Sequence, residues 1–317
     1  MLTSLKFVQG AVAKKDFVPA LTHFKIEDCR VQGFNGTLAL SSPIPFDIAC
    51  KPKALPLVKA IANCEETVSL SLTPAGRLAI RSGKFRSMID CVEGETPHVD
   101  PEGEYVEMDG KIILSAFKSV APFVGDDASR IWTNGVLFKG QSAFATNNVM
   151  LVEYWTGADF PTVVNIPRAA VKEILRINEP PTALQVGETS VTFHFEGERW
   201  LRTQLFPTEW PDLSRILDKE SNPIPLHESL PAALEMIKPF TDDLRRILFR
   251  PGKIKTHEDE MEGASYDFEG VDWQGTYQIE MLELLCGAAK SIDWTLYPSP
   301  CLFFGDRLRG AIIGMRQ

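Results

Sequence analysis

Two acidic pairs, Asp126-Asp127 and Asp242-Asp243, are the residues whose type and spacing most invite a chemical reading. Neighbouring carboxylates can hold a divalent cation or divide acid and base roles between them. The run His257-Glu258-Asp259-Glu260 adds a further acidic cluster beside an imidazole. The backbone argues against catalysis, because adjacent side chains point in different directions on any regular segment. The recurrence also has a simpler source. Ser115 to Trp132 reads SAFKSVAPFVGDDASRIW, and Ala232 to Leu248 reads AALEMIKPFTDDLRRIL. In both, an apolar-periodic run stops at Pro-Phe, passes the acids and enters a second apolar run, the pattern of helix, turn and strand. The acids are therefore expected to be turn residues repeated by duplication, and 257–260 a solvated hairpin tip.

The remaining reactive side chains are dispersed. Cys29, Cys50, Cys64, Cys91, Cys286 and Cys301 form no CxxC pair and have no histidine at metal-ligand spacing. They read as idle thiols of a reducing cytoplasm, with no metal and no cofactor implied.

The duplication extends to the elements that carry these residues. The segments opening at Cys50, Asn165 and Tyr277 each run from a helix-like stretch into alternating strands. Each third of the chain thus holds two helices, each followed by short strands, an α+β plan in three similar domains. The domains expected are 1–103, 104–217 and 218–317, with acidic or proline-bearing linkers at 93–107 and 218–226. Helices are expected over 1–15, broken at Val18-Pro19, and over 54–62, 110–123 and 165–178. Asn35-Gly36 marks a hairpin between strands at 29–34 and 37–40; further strands are expected at 22–26, 68–72, 78–82, 86–91, 135–138 and within 141–154.

Charge is segregated. The chain of 317 residues is 44% hydrophobic, enough for substantial cores, and carries a net charge of −9. Yet residues 1–15, 51–63, 110–123 and 165–178 together hold eleven Lys or Arg and one acid, Glu173. Lysine is a good helix former, but glutamate is equally good, and exposed helices usually mix signs. Basic helices on an acidic chain point to a surface that meets phosphates. No apolar run spans a bilayer, and 1–12 does not read as a leader, so a cytoplasmic protein without membrane contact is expected.

Five segments in order carry a resemblance: LAIRSGKFRSMI from Leu78, RIWTNGVLF from Arg130, FATNNVML from Phe144, WPDLSRIL from Trp210 and IIGMRQ from Ile312. Over its full length the chain resembles the bacterial DNA polymerase III beta subunit, the beta sliding clamp family, whose matching segments read FPDYRRVLP-like and VMPMRL-like in the last two cases. The resemblance implies a head-to-tail homodimer ring around duplex DNA, a non-catalytic processivity factor that tethers polymerase and clamp loader through short peptides. It implies DNA contacts at Lys6, Lys14, Lys53, Lys59, Lys118, Arg168, Lys172 and Arg176, and at Trp132 unless that ring is core. It implies a peptide groove including Arg130, Thr133, Thr146, Asn148, Leu151, Leu217, Leu244, Ile313, Met315 and Arg316. It implies a subunit seam at Ser87, Met88 and Ile89 against Phe240 of a neighbour.

The sequence departs from the family in places. The family's Thr-Asp-Gly-His-Arg-Leu is here Thr146-Asn147-Asn148-Val149-Met150-Leu151, Gly314 replaces a proline, and the strand before the first helix is not evident. Helices of the last third carry Glu235, Glu280 and Glu283 and are not basic. These departures fit a divergent clamp, of phage or mobile-element type, and keep open a clamp-derived adaptor that binds peptides without encircling DNA.

Overall fold

The computed structural model describes every residue except positions 66, 260, 261, 269, 270, 316 and 317 and the side chain of Ser214. In chain order the main elements are α1 (Leu2–Val8), β1 (Lys25–Glu27), β2 (Arg30–Phe34), β3 (Leu38–Pro43), α2 (Ala54–Ala62), β4 (Ser69–Leu72), β5 (Leu78–Ser82), β6 (Phe85–Ile89) and β7 (Glu104–Val106). Then come α3 (Gly110–Val120), β8 (Gly135–Lys139), β9 (Ser142–Thr146), β10 (Met150–Trp155), β11 (Val164–Pro167), α4 (Arg168–Ile177), β12 (Ala183–Val186), β13 (Ser190–Phe195) and β14 (Arg199–Gln204). The last third has α5 (Ser214–Leu217), β15 (Ile224–Pro225), α6 (Leu230–Ile237), β16 (Arg246–Arg250), β17 (Lys253–Lys255), β18 (Ser265–Asp267), β19 (Gly275–Gln278), α7 (Ile279–Ala288), β20 (Ser291–Ile292), β21 (Cys301–Gly305) and β22 (Leu308–Ile312).

Contacts group the chain into two compact units, Met1–Leu114 with Ala169–Leu205, and Ser115–Arg168 with Phe206–Gln317. Among the described residues, the first unit holds a sheet ordered β1-β2-β3-β14-β13-β12-β7 and a smaller one, β4-β5-β6. The second holds β11-β8-β9-β10-β22-β21-β20-β15 and β18-β17-β16-β19. All named pairings are antiparallel, and each long sheet draws strands from two of the sequence thirds: Leu40 faces Leu201, and Leu151 faces Ala311. Such pairing satisfies edges that a single third would leave open.

Local chemistry explains the elements. In α2, Ala54, Leu57, Val58 and Ile61 follow the i, i+3, i+4, i+7 pattern and are buried, while Pro56 sits in the first turn, where its missing N–H costs nothing. α3 buries Ile113, Ala116, Phe117 and Val120 and ends before Pro122; α6 buries Leu230, Ala233, Leu234 and Ile237 and ends before Pro239. At the β2–β3 turn Asn35 Oδ1 accepts from the amides of Thr37 and Leu38, and Gly36 takes φ 96°, which only glycine adopts freely.

Three expectations shift. The helix expected from Asn165 starts at Arg168, because Val164–Pro167 pairs with β8 and the Asn165 side chain donates to the carbonyls of Trp132 and Pro207. The stretch from Tyr277 likewise begins as strand β19 before α7. Both expected linkers contain a strand, β7 paired with β12 and β15 paired with β20. Short polar or proline-containing strands carry little periodicity, so they read as loop.

Candidate functional sites

An apolar cavity of about 150 Å³ opens in the second unit. Its floor is the β10–β22 ladder, where Met150 pairs with Ile312 and Leu151 with Ala311. Its far wall is the segment ending in α5, whose Leu213 and Ile216 line it with Pro211. Leu217, from the same segment, is buried with Leu151, Leu302 and Ala311. Trp132 closes one end and meets Trp210 edge to face, ring centres 5.0 Å apart. A volume of this order takes one aliphatic side chain, and its walls offer that side chain only dispersion and dehydration.

The rim is polar and tightly cross-linked. Asn148 takes φ 69°, its side-chain carbonyl accepts from Arg130 Nη1 at 3.0 Å, and its amide donates to Asp127 Oδ2 at 3.4 Å. Asn147 Oδ1 accepts from the amides of Val149 and Met150, closing the β9–β10 turn. The Gly125 amide is shared between the carbonyls of Thr133 and Thr146, each at 3.0 Å. Behind the wall, Arg309 bridges Glu153 at 2.6 Å and Asp218 at 2.8 Å and also donates to the Leu217 carbonyl. Burial lowers the Arg309 pKa, but the two carboxylates outweigh it and hold the guanidinium above its usual range.

Of the residues expected in the groove, Thr146, Asn148, Leu151 and Ile313 line the cavity and Leu217 lies in the apolar cluster beside it. Arg130 sits on the rim, and Thr133 is buried, its hydroxyl spent on the Arg130 carbonyl. Met315 is tied to the Thr276 carbonyl and the Tyr297 hydroxyl away from the lining; Leu244 is exposed and apart. Arg316 lies outside the described residues. Sequence reasoning missed Val149, Met150, Pro211, Leu213, Ile216, Pro300 and Ala311, and assigned Trp132 to DNA. The alternation of β22 and the apolar positions inside WPDLSRIL were the available signals.

The basic helices display their charge outward. α1 buries Leu5, Phe7 and Val8 and exposes Lys6; α2 exposes Lys59, with Lys53 exposed at its N-cap. α3 exposes Lys111, Ser115 and Lys118 on one stripe, and α4 exposes Ala169, Lys172 and Arg176. α1, α2 and α4 have no acid in their first turn, whereas the Asp109 carboxylate just before α3 accepts from the Lys111 amide at 2.8 Å and caps that helix. Among the described residues Lys6, Lys14, Lys53, Lys59, Lys118 and Lys172 form no ion pair. Arg168 and Arg176 differ. Arg168 is paired with Asp126 at 2.8 Å, and Arg176 holds the buried Glu173 and donates to the Phe7 carbonyl at 2.9 Å. On α6 and α7 the exposed acids are partly answered, Glu283 by Lys238 at 2.5 Å and Glu280 by Arg245 at 2.9 Å.

The acidic pairs hold turns. Asp127 Oδ1 accepts from the amide and hydroxyl of Ser129, which keeps its carboxyl below the usual range. Burial alone would raise the Asp242 carboxyl, but bonds from the Arg246 amide and guanidinium pull it down. Around 257–259, Glu258 bonds Arg250 and Lys255; Glu260 is outside the described residues. Burial pushes the Cys50 thiol up to about 12, with Cys91 adding to it, and Cys286 and Cys301 up to about 11, so these sulfurs are not thiolates at neutral pH.

No protein-family model matches the sequence, and no curated protein matches it. Solved structures do. The DNA polymerase sliding clamp of Bacillus subtilis superposes with a TM-score of 0.86 at 18% identity, covering 100% of this chain and 97% of that one. The chain has the sliding-clamp fold. The beta subunit from the DNA polymerase of Streptococcus pyogenes gives 0.82 at 16% identity, and the sliding clamp of Pseudomonas aeruginosa bound to griselimycin gives 0.81 at 16%, both with the same coverage. Within this clamp fold the expected seam residues fall on an edge. β6 pairs with β5 and ends the small sheet; Met88 is exposed, Ser87 is half-buried, and Ile89 points inward and is buried. Met236 at the end of α6 and Phe240 in the turn that follows it are both exposed.

Among the described residues no helix is long and apolar enough to cross a membrane.

Proposed function

We propose that this chain is a DNA sliding clamp: a cytoplasmic, non-catalytic processivity factor that closes as a head-to-tail homodimer around duplex DNA. Its three clamp domains are 1–103, 104–217 and 218–317, the exposed lysines of α1 to α4 meet phosphates, and the cavity beside Leu151 takes short peptides of a polymerase and a clamp loader. The observation that carries this reading is a full-length clamp fold whose outward lysines are left unpaired on a chain of net charge −9. A ring needs no base readout; many weak phosphate contacts hold it to DNA while topology prevents escape.

The test is retention on nicked circular DNA after loading, followed by linearisation. A clamp co-elutes with the circle and runs off the cut form, and Lys59→Glu with Lys172→Glu weakens loading. Equal retention on both forms, or none on either, overturns encirclement. The acidic exposed faces of α6 and α7 favour one rival, an adaptor that keeps the groove but not the ring. An adaptor binds groove peptides with the charge-reversed chain unimpaired.

A further inference from the structure

Phe17 stands wholly in solvent, the most exposed large apolar side chain among the described residues. It caps a loop that follows α1, with Lys14 and Lys15 exposed beside it and in no ion pair among the described residues. The loop is shaped from within. The Ala13 amide donates to the Leu21 carbonyl at 2.9 Å and the Leu21 amide to the Val18 carbonyl at 3.1 Å, closing the neck. Asp16 Oδ1 accepts from the Val18 amide at 2.8 Å, so this carboxylate is turned onto its own backbone. Pro19 follows and fixes its φ. The tip is thus an aromatic ring and two cations on a backbone that is already ordered, which keeps the entropy cost of binding low.

We propose that Lys14, Lys15 and Phe17 form a contact for unpaired nucleobases where duplex gives way to single strand, the lysines taking phosphates and the ring stacking on a base. The inference rests on the DNA-binding reading above and deepens it. Two features select the ligand. Cations flanking an aromatic suit a polyanion with planar apolar faces, and stacking is indifferent to sequence because every base has such a face. Inside a duplex those faces are covered by neighbours, and uncovering one costs unstacking energy, so the ring engages only where a base is already unpaired.

The experiment measures binding of the full chain to three labelled DNAs: a blunt duplex, the same duplex with a single-stranded overhang, and that overhang with abasic sites. Phe17→Ala is expected to weaken the overhang complex about tenfold and to leave the blunt duplex unchanged. Phe17→Trp should retain binding, Phe17→Leu should behave as Phe17→Ala, and abasic sites should erase the difference between the unaltered chain and Phe17→Ala. Equal overhang binding by the unaltered chain and Phe17→Ala overturns the proposal. So does full activity of Phe17→Leu, which would mean apolar docking rather than stacking. Phe17-dependent binding to phosphatidylserine vesicles, with no effect on DNA, reassigns the tip to lipid. If the unaltered chain binds none of the DNAs, the tip proposal falls, while retention on nicked circles, which a clamp keeps even though it runs off linear DNA, decides the clamp reading separately.

Discussion

Arg176→Met separates a structural arginine from a DNA-binding one. Arg176 lies on the exposed stripe of α4 with Lys172, yet its guanidinium grips Glu173, whose side chain is only 9% exposed, and donates to the carbonyl of Phe7 in α1. Glu173 sits against Gly10, where an added Cβ would lie 1.7 Å from Oε1. Removing the cation leaves a buried carboxylate with no counter-charge, worth about 3–5 kcal/mol in a fully buried pair. Because Arg176 is 45% exposed, water reaches its side of the pair, and about 2 kcal/mol is the better expectation. For a unit of this size that lowers the melting temperature by about 5 °C. Lys172→Met, by contrast, breaks no bond; it should leave the melt unchanged and cut the salt dependence of DNA binding by about 0.9 in log–log slope. The double change Glu173→Met with Arg176→Met should recover most of the lost stability, since neither charge is then buried alone. Melting of Arg176→Met at the unaltered temperature, with a slope reduced as in Lys172→Met, would falsify the structural assignment.

Other outcomes follow from the same structure. Arg309→Met, which frees the cavity wall from Glu153 and Asp218, should weaken binding of a short peptide at the proposed groove about tenfold by calorimetry, with Arg309→Lys intermediate; unchanged affinity would show that the wall holds itself. Met88→Asp should convert the proposed ring dimer to monomers by sedimentation while the melt is kept, whereas Ile89→Asp, on a buried side chain, should lower the melt instead. Asp127 and Asp242 have lowered carboxyl pKa values, so their stabilisation is fully present above the unfolded value near about 4 and is lost as pH falls through the folded values. Asp127→Asn with Asp242→Asn should flatten the acid limb of the stability curve; an unchanged limb would mean that other carboxylates set it.

What the sequence disclosed depended on periodicity. α2 was readable to the residue because Ala54, Leu57, Val58 and Ile61 repeat cleanly, and β5 because Leu78, Ala79 and Ile80 are bounded by turn residues. β7 and β15 were hidden because Glu104-Tyr105-Val106 and Ile224-Pro225 are too short to show a period. The pairing of β3 with β14 and of β10 with β22 was hidden for another reason: hydrogen bonding across sequence-distant edges leaves no mark in either strand. Charge was readable as composition, but its use was not. Lys172 and Arg176 look alike in sequence, and only the burial of Glu173 separates them.

The turn beside the cavity shows how one backbone conformation admits different side chains. A glycine at position 148 would serve a turn that needs positive φ; Asn148 meets the same need at 69°, since asparagine tolerates the left-handed region. The replacement then adds what glycine cannot, a side chain that joins Arg130 and Asp127 across the rim. Val149 and Met150 turn adjacent positions apolar and both line the cavity. The turn is therefore held by conformational tolerance, and the surface it presents is an amide bridge over an apolar floor. A ligand that fits here must satisfy that floor first, because the Asn148 side chain on the rim is already held by Arg130 and Asp127.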